Sequence, residues 1–248
     1  MNIALIGFGN MGKQIAQLIE QNSTYNLVSV SYKDNNRHLD KKGIAKADVA
    51  IDFTGADAVA KTVKEVAALG VPLVIGTTGW YEQLADIEKI VRETNIGLVY
   101  GQNFSIGANI FFKILGYSSH LFNSFDSYDV YGMEIHHAGK KDSPSGTAKK
   151  ITSIILENFT TKSVVQYDRF DRKIEKNELH FASVRGGRNP GYHEVIFDSS
   201  ADVVTLSHQA HNREGFAQGA LLAAQFIQGK KGIYTFDEVF ERQVKKYE

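Results

Sequence analysis

Short apolar runs and amphipathic stretches alternate along the chain as far as Tyr100. Ile3-Ala4-Leu5-Ile6, Leu27 to Val30, Val49 to Phe53, Pro72 to Ile75 and Ile96 to Tyr100 each have the length and composition of a buried strand. Lys13 to Asn22, Ala56 to Leu69 and Tyr81 to Glu93 lie between them and repeat their apolar positions at helical spacing. Runs that are continuously apolar mark strands covered on both faces. The pattern therefore predicts a Rossmann-like, doubly wound α/β domain, a parallel sheet with right-handed helical crossovers.

Beyond Asn103 the period changes. Ile106 to Phe122 reads as a helix, with Ile110, Phe111, Ile114, Leu115 and Tyr117 as its expected core-facing stripe. Strand-like segments then dominate: Ser127 to His136, Val164 to Arg169, Glu178 to Val184, Tyr192 to Asp198 and Asp202 to Gln209. One helix, Thr147 to Asn158, interrupts them. Hairpin-length gaps predict a mainly antiparallel sheet, so the second domain is expected to be α+β. Gly215 to Gln228 is helical again, and Tyr234 to Tyr247 forms a short closing segment. The expected division is 1–104 with 214–248 against 105–213.

Charge and composition narrow the function. Among 248 residues, 28 Lys and Arg balance 28 Asp and Glu, which argues against a nucleic-acid partner. The absence of cysteine excludes disulfides, iron–sulfur clusters, thiolate zinc sites and a cysteine nucleophile. No apolar run reaches the roughly 18 residues of a membrane span. The opening residues also lack the pattern of a secretory signal, so a cytoplasmic protein without a membrane partner is expected.

Gly7-Phe8-Gly9-Asn10-Met11-Gly12 follows the first strand and opens a helix, the context in which GxGxxG binds a dinucleotide. The first glycine permits a tight turn, the second lets a pyrophosphate approach, and the third lets helix and strand pack closely. The second strand should end on a carboxylate for the ribose 2′-hydroxyl. Instead Tyr32 and Lys33 stand there, with Asp34 and Arg37 beyond. Lys33 could neutralise a 2′-phosphate or be a solvated loop residue, so NADH and NADPH both stay open. Asp52-Phe53-Thr54 and Gly76-Thr77-Thr78-Gly79-Trp80 close the third and fourth strands, where small and hydroxyl residues admit a nicotinamide; helix capping is the alternative for Thr77 and Thr78.

The densest chemistry is Glu134-Ile135-His136-His137-Ala138-Gly139-Lys140-Lys141-Asp142-Ser143-Pro144-Ser145-Gly146-Thr147-Ala148. Histidine titrates near neutrality and suits proton transfer. Amides at Gly146 and Thr147, at a helix start, suit a carboxylate, and Lys140 adds a cation. On an ideal strand His136 and His137 face opposite ways, so joint use needs a break in the extended backbone. Six of eight histidines lie between His136 and His211, but no HExxH or compact carboxylate–histidine spacing appears and no metal is expected. Arg185-Gly186-Gly187-Arg188 reads either as an anion contact or as a charged turn.

These segments, together with Asn103-Phe104-Ser105, Gly191-Tyr192-His193 and His208 through Gly219, resemble the 4-hydroxy-tetrahydrodipicolinate reductases (dihydrodipicolinate reductases). The run HHxxKxDxPSGTA is the specific part of the likeness. The resemblance implies reduction of a cyclic dicarboxylate in lysine and diaminopimelate biosynthesis by NADPH or NADH, with hydride to ring C4. It implies His136 as general acid/base and Lys140 as a proton donor that also holds substrate. His137, Ser145, Gly146 and Thr147 would contact substrate. Gly7 through Gly12, Gly76 to Thr78 and Gly101-Gln102-Asn103-Phe104 would line the dinucleotide. It also implies a homotetramer built through the second domain. Two departures stand out: Tyr32 in place of an acidic residue, and Ala138-Gly139 where some members carry basic residues. The alternatives are a two-domain dehydrogenase of aspartate or homoserine type and a non-catalytic NAD(P) sensor.

Overall fold

Successive residues of β1 (Asn2–Ile6) are buried to both sides, because the strand lies inside a sheet with helices on each face. Ile3 and Leu5 pack with α1 (Asn10–Glu20) and α7 (Glu214–Ile227). Ala4 and Ile6 pack with α3 (Ala56–Ala67) and α4 (Leu84–Thr94). This computed structural model describes residues 1–32 and 38–246. Beside β1 run β2 (Asn26–Ser31) on one side and β3 (Val49–Asp52) on the other. β4 (Leu73–Ile75), β5 (Gly97–Tyr100) and β11 (Gly232–Thr235) continue outward from β3. All pairs of this six-stranded sheet are parallel. The order reverses at β1 and β3, and the carboxyl ends of such strands form the crevice where doubly wound sheets take ligands.

The chain divides into two units, Met1–Ile106 with Arg213–Glu248 and Gly107–Asn212. The second is built on β6 (Asp129–His136), which pairs antiparallel with β9 (Tyr192–Asp198) and parallel with β8 (Glu178–Arg185). β10 (Val203–Gln209) extends the antiparallel side and β7 (Val164–Gln166) the parallel side, making a mixed five-stranded sheet. The parallel β6–β8 step needs a crossover, supplied by α6 (Gly146–Asn158). Its core joins Phe181, Val195 and Phe197 to Ile151 and Ile155 of α6 and to Phe111 and Leu115 of α5 (Ile106–Phe122).

Three sequence expectations are corrected. The α5 stripe divides: Phe111 and Leu115 are buried, whereas Ile110, Ile114 and Tyr117 are 46%, 48% and 67% exposed. The helix is apolar on two faces, and Ala108, Phe112 and Ser119 complete the buried one. The segment from Tyr234 is also more than a closing piece. β11 adds an edge strand beside β5, and Thr235 and Glu238 form a capping box that starts α8 (Phe236–Val244). Tyr247 lies outside the described residues. The strand expected to reach Arg169 stops at Gln166, the last residue paired with β8. Two helical pieces also differ in detail: Tyr81–Gln83 is a 3-10 turn before α4, and Lys41–Ile44 forms a short α2 between β2 and β3. No described helix is long and apolar enough to cross a membrane.

Leu115→Ala should lower the free energy of urea unfolding by about 2–5 kcal/mol, the cost of a core cavity. Ile114→Ala, one residue away, should change it by about 0.5 kcal/mol or less. Similar losses from both would show that the two faces of α5 are not distinct.

Candidate active site

In the first unit the glycine turn is built by backbone contact. Gly7 takes φ +94° and donates its N–H to Ser31 O at 3.1 Å. A Cβ on Gly7 would strike the Phe53 carbonyl, and one on Gly12 would strike the Gly7 carbonyl. At Gly9, the exposed N-cap of α1, a Cβ would meet nothing within 4 Å. Two glycines thus permit close packing and the third leaves an open approach to a helix start. Asn10 is exposed at the first turn of α1, while Phe8 and Met11 pack against the core. A cavity of about 220 Å³ lies at the carboxyl ends of β1, β2 and β3, lined by Gly7, Phe8, Gly9, Tyr32, Phe53, Thr54, Gly55, Asp57 and Ala58. Tyr32 closes β2 at φ +60°. Lys33, Asp34 and Arg37 lie outside the described residues. The open Gly9, the tight glycine turn and the cavity fit a dinucleotide at this end of the sheet.

The loops after β3 and β4 are joined by Asp52, which is wholly buried. Its Oδ1 accepts from Thr54 N at 2.9 Å, Thr54 Oγ1 at 2.8 Å and Thr77 Oγ1 at 2.7 Å. Burial pushes this carboxyl above the ordinary range, against the pull of the Thr77 and Thr54 hydroxyls. Thr77 therefore ties two loops together and caps no helix; Thr78 is exposed beside it. The Phe53 ring occupies the space a Cβ on Gly76 would need. Phe53 meets Phe104 edge-on at 6.2 Å, and Phe104 packs on Phe236 at 4.5 Å. A Cβ on Gly101 would come 2.7 Å from Phe236 Cβ. Gln102 is exposed, and Asn103 Oδ1 accepts from Ser105 N at 2.9 Å. Phe53, Thr54, Gly76, Thr77, Gly101 and Phe104 are thus gathered at the ends of adjacent strands.

In the second unit β6 ends at His136, and a turn closed by Lys140 N donating to His137 O at 3.1 Å follows. The strand pairing thus ends between the two histidines, and the turn itself is made by Ala138 and Gly139. His136 and Ser145 are buried, His137, Lys140 and Thr147 are intermediate, and Gly146 is exposed. Lys140 Nζ pairs with Asp142 Oδ1 at 2.8 Å, and this contact holds the Asp142 carboxyl below its ordinary range. Ser145 caps α6, accepting from Ala148 N at 3.0 Å.

Glu134, wholly buried on β6, draws these parts together. Its Oε1 accepts from Ser145 N at 2.9 Å, Ser183 Oγ at 2.9 Å and Arg185 Nη2 at 2.7 Å. Its Oε2 accepts from the Ser145 hydroxyl and lies 3.3 Å from His136 Nδ1 and 3.5 Å from His193 Nε2. Burial opposes the charge, but the nearby His193 and the donors Ser145 and Arg185 outweigh it and hold the carboxyl well below the usual range. Arg185 is therefore no surface turn, although Arg188 is exposed. Burial lowers His136 to about 4, with His193, Lys140 and Arg185 adding to the effect and Glu134 opposing it. Glu134, His136 and His193 bring one ligand atom each within 4.8 Å of one another, close enough for a metal ion. Arg185 already matches the carboxylate's charge, and serine and backbone donors take up its oxygens.

The sequence motifs contain Asp52, Glu134 and Asp142 but gave them no role, and the cavity residues Gly55, Asp57 and Ala58 were missed. Buried acids at the ends of apolar strands were the available signal for Asp52 and Glu134.

A glycine turn at the switch point of a doubly wound sheet, joined to a second unit with a buried imidazole–carboxylate cluster, defines a two-domain, nucleotide-dependent oxidoreductase. The chain belongs to the dihydrodipicolinate reductase family: residues 1–104 match the model of the N-terminal part and residues 107–240 that of the C-terminal part. It is 44% identical over 205 residues to the 4-hydroxy-tetrahydrodipicolinate reductase of Methanocaldococcus jannaschii, covering 81% of this chain and 74% of that one. Against the reductase of Christiangramia forsetii identity is 36% over 239 residues, covering 96% and 97%. The dipicolinate-bound dihydrodipicolinate reductase of Paenisporosarcina sp. TG-14 shares the fold, with TM-score 0.75 and 24% identity over 95% of this chain and 97% of that one. The chain is thus an oxidoreductase that reduces 4-hydroxy-tetrahydrodipicolinate in lysine and diaminopimelate biosynthesis, and the family implies a nicotinamide cofactor. The dehydrogenase and sensor alternatives are not favoured.

His136 also leaves a mark on stability. Its pKa falls from 6.5 to about 4 on folding, so between those values the folded chain binds fewer protons than the unfolded one. Stability present above pH 6.5 should therefore be lost as pH falls towards 4, by up to about 3 kcal/mol. Urea unfolding across that range should show a shallower slope for His136→Gln than for the parent. Equal slopes would mean that His136 is not buried in its neutral form.

Proposed function

We propose that the glycine cradle binds NADPH or NADH and that the turn between β6 and α6 binds the cyclic dicarboxylate, with His136 as general acid/base. The observation that carries this reading is one buried carboxylate, Glu134, touching both an imidazole and the cap of a helix start. Gly7, Phe8, Gly9, Asn10, Met11 and Gly12 would hold the pyrophosphate. Phe53, Thr54, Gly76, Thr77, Thr78, Gly101, Gln102, Asn103 and Phe104 would hold the nicotinamide half. When bound, a reduced nicotinamide supplies the hydride that ends on ring C4.

The chain's own residues bind the dianion and manage the proton. Gly146 and Thr147 open α6, where N–H groups have no partner within the helix and the dipole favours a carboxylate. Ser145 sets that turn, and Lys140 and His137 supply further polar contacts. Lys140 would exchange Asp142 for a substrate carboxylate and can also donate a proton. Loss of the 4-hydroxyl as water leaves a conjugated ring, and His136 delivers a proton to C3 as charge develops there. The imidazole is neutral at rest, and the charge of the arriving dicarboxylate favours its protonated form. We further propose a cytoplasmic homotetramer assembled through the second unit's sheet, on which Tyr131, Val184 and Val203 are exposed.

Replacing His136 by Gln should reduce kcat by about 10²-fold or more with little change in dinucleotide affinity. Lys140→Ala should lower kcat and raise the substrate KM. Normal steady-state turnover by either variant would remove the assigned role.

Cofactor choice turns on the end of β2. Tyr32 offers no carboxylate to accept from a ribose 2′-hydroxyl or to repel a 2′-phosphate, and Lys33 and Arg37 follow in sequence. NADPH should therefore support a kcat/KM at least equal to that of NADH. A strong preference for NADH in parallel assays would overturn this.

A further inference from the structure

We propose that Glu134 is a positioning residue of this reaction: its carboxylate fixes a proton on His136 Nδ1, making Nε2 the exchanging atom, and holds that imidazole in register with the carboxylate-binding turn. The inference rests on the reading of His136 as general acid/base and adds the group that directs it.

The sheet explains why one side chain can do both. Glu134 and His136 are two residues apart on β6 and so share a face. Glu134 stands opposite Ser183 on β8 and His193 on β9, while His136 stands opposite Arg185. The neighbouring strands therefore deliver Ser183, Arg185 and His193 to the carboxylate laterally, and Ser145 at the start of α6 closes it from the chain's own crossover.

An ionised carboxylate can only accept hydrogen bonds, so the ring nitrogen turned towards it carries the hydrogen. His136 Nδ1 is buried, has no aligned hydrogen-bond partner among the described residues and lies 3.3 Å from Oε2, a contact that needs only a small turn of the ring to become a hydrogen bond. In the neutral ring that leaves the lone pair on Nε2. This atom faces Gly191, where a Cβ would stand 3.2 Å away, so the absence of a side chain keeps it uncovered. His193 reaches the same Oε2 less closely, at 3.5 Å, and both its nitrogens are buried without a hydrogen-bond partner among the described residues. The charged or titratable groups around His136 are thus Glu134 on its own strand, Arg185 on β8, His193 on β9 and Lys140 in the following turn.

The test is Glu134→Gln in the full chain. A carboxamide can turn its NH₂ to Nδ1 and favour the opposite tautomer, with the hydrogen on Nε2. We expect kcat to fall about a hundredfold or more, as when a histidine acid/base loses its orienting carboxylate. The KM for the nicotinamide should change little, and the limb of the kcat profile that falls with rising pH should move to lower pH. A folded variant with kcat within threefold of the parent and an unmoved limb would overturn the proposal. If the variant does not fold, nitrogen NMR of the parent labelled in histidine decides: a neutral His136 ring protonated on Nδ1 supports it and one protonated on Nε2 overturns it. Both outcomes differ from failure of the parent to turn over or normal turnover by His136→Gln, which would instead sink the functional reading.

Discussion

A carboxylate buried in a strand demands polar partners, and this chain answers that demand once in each unit, on both oxygens at Glu134 and on Oδ1 alone at Asp52. Glu134 stays charged because a guanidinium, two hydroxyls and a backbone N–H converge on it. Asp52 is given only neutral donors, from Thr54 and Thr77, and its affinity for a proton rises. In both cases the acid's hydrogen bonds draw together segments far apart in sequence. Loops of both candidate half-sites are thus tied to a buried acid.

The two candidate half-sites use different materials. The nucleotide end is shaped mostly by what is missing: methyl groups at Gly7, Gly12 and Gly76 would collide with backbone or an aromatic ring. The candidate substrate end is shaped by charged and polar side chains that contact one another in series. Arg185 secures Glu134, Glu134 faces His136, and Lys140 rests on Asp142. The first arrangement depends on steric fit and the second on electrostatic balance.

Much of this was legible beforehand, for identifiable reasons. Runs such as Ile3 to Ile6 announce a doubly covered strand, and GxGxxG is informative because a strand and a helix flank it. The histidine–lysine segment stood out because its residue types are chemically dense. What pattern reading missed depends on tertiary partners. Glu134 looks like an ordinary strand residue until β8 and β9 bring Ser183, Arg185 and His193 beside it. The stripe on α5 was misjudged because the helix is apolar on both sides, and a 3.6-residue period cannot say which side meets the sheet. β11 is a short edge strand with no apolar run to announce it, and only pairing with β5 reveals it.

The parallel sheet takes its last strand and one of its covering helices from the far end of the chain. Ala217, Ala220, Leu221, Ala224 and Ile227 of α7 line the same core as Ile3, Leu5 and Ile51. During synthesis, therefore, Gly107–Asn212 leaves the ribosome whole while the sheet begun earlier still shows one greasy flank to solvent. The half made first is finished last, and the nascent chain must keep that flank from sticking elsewhere until its own tail arrives.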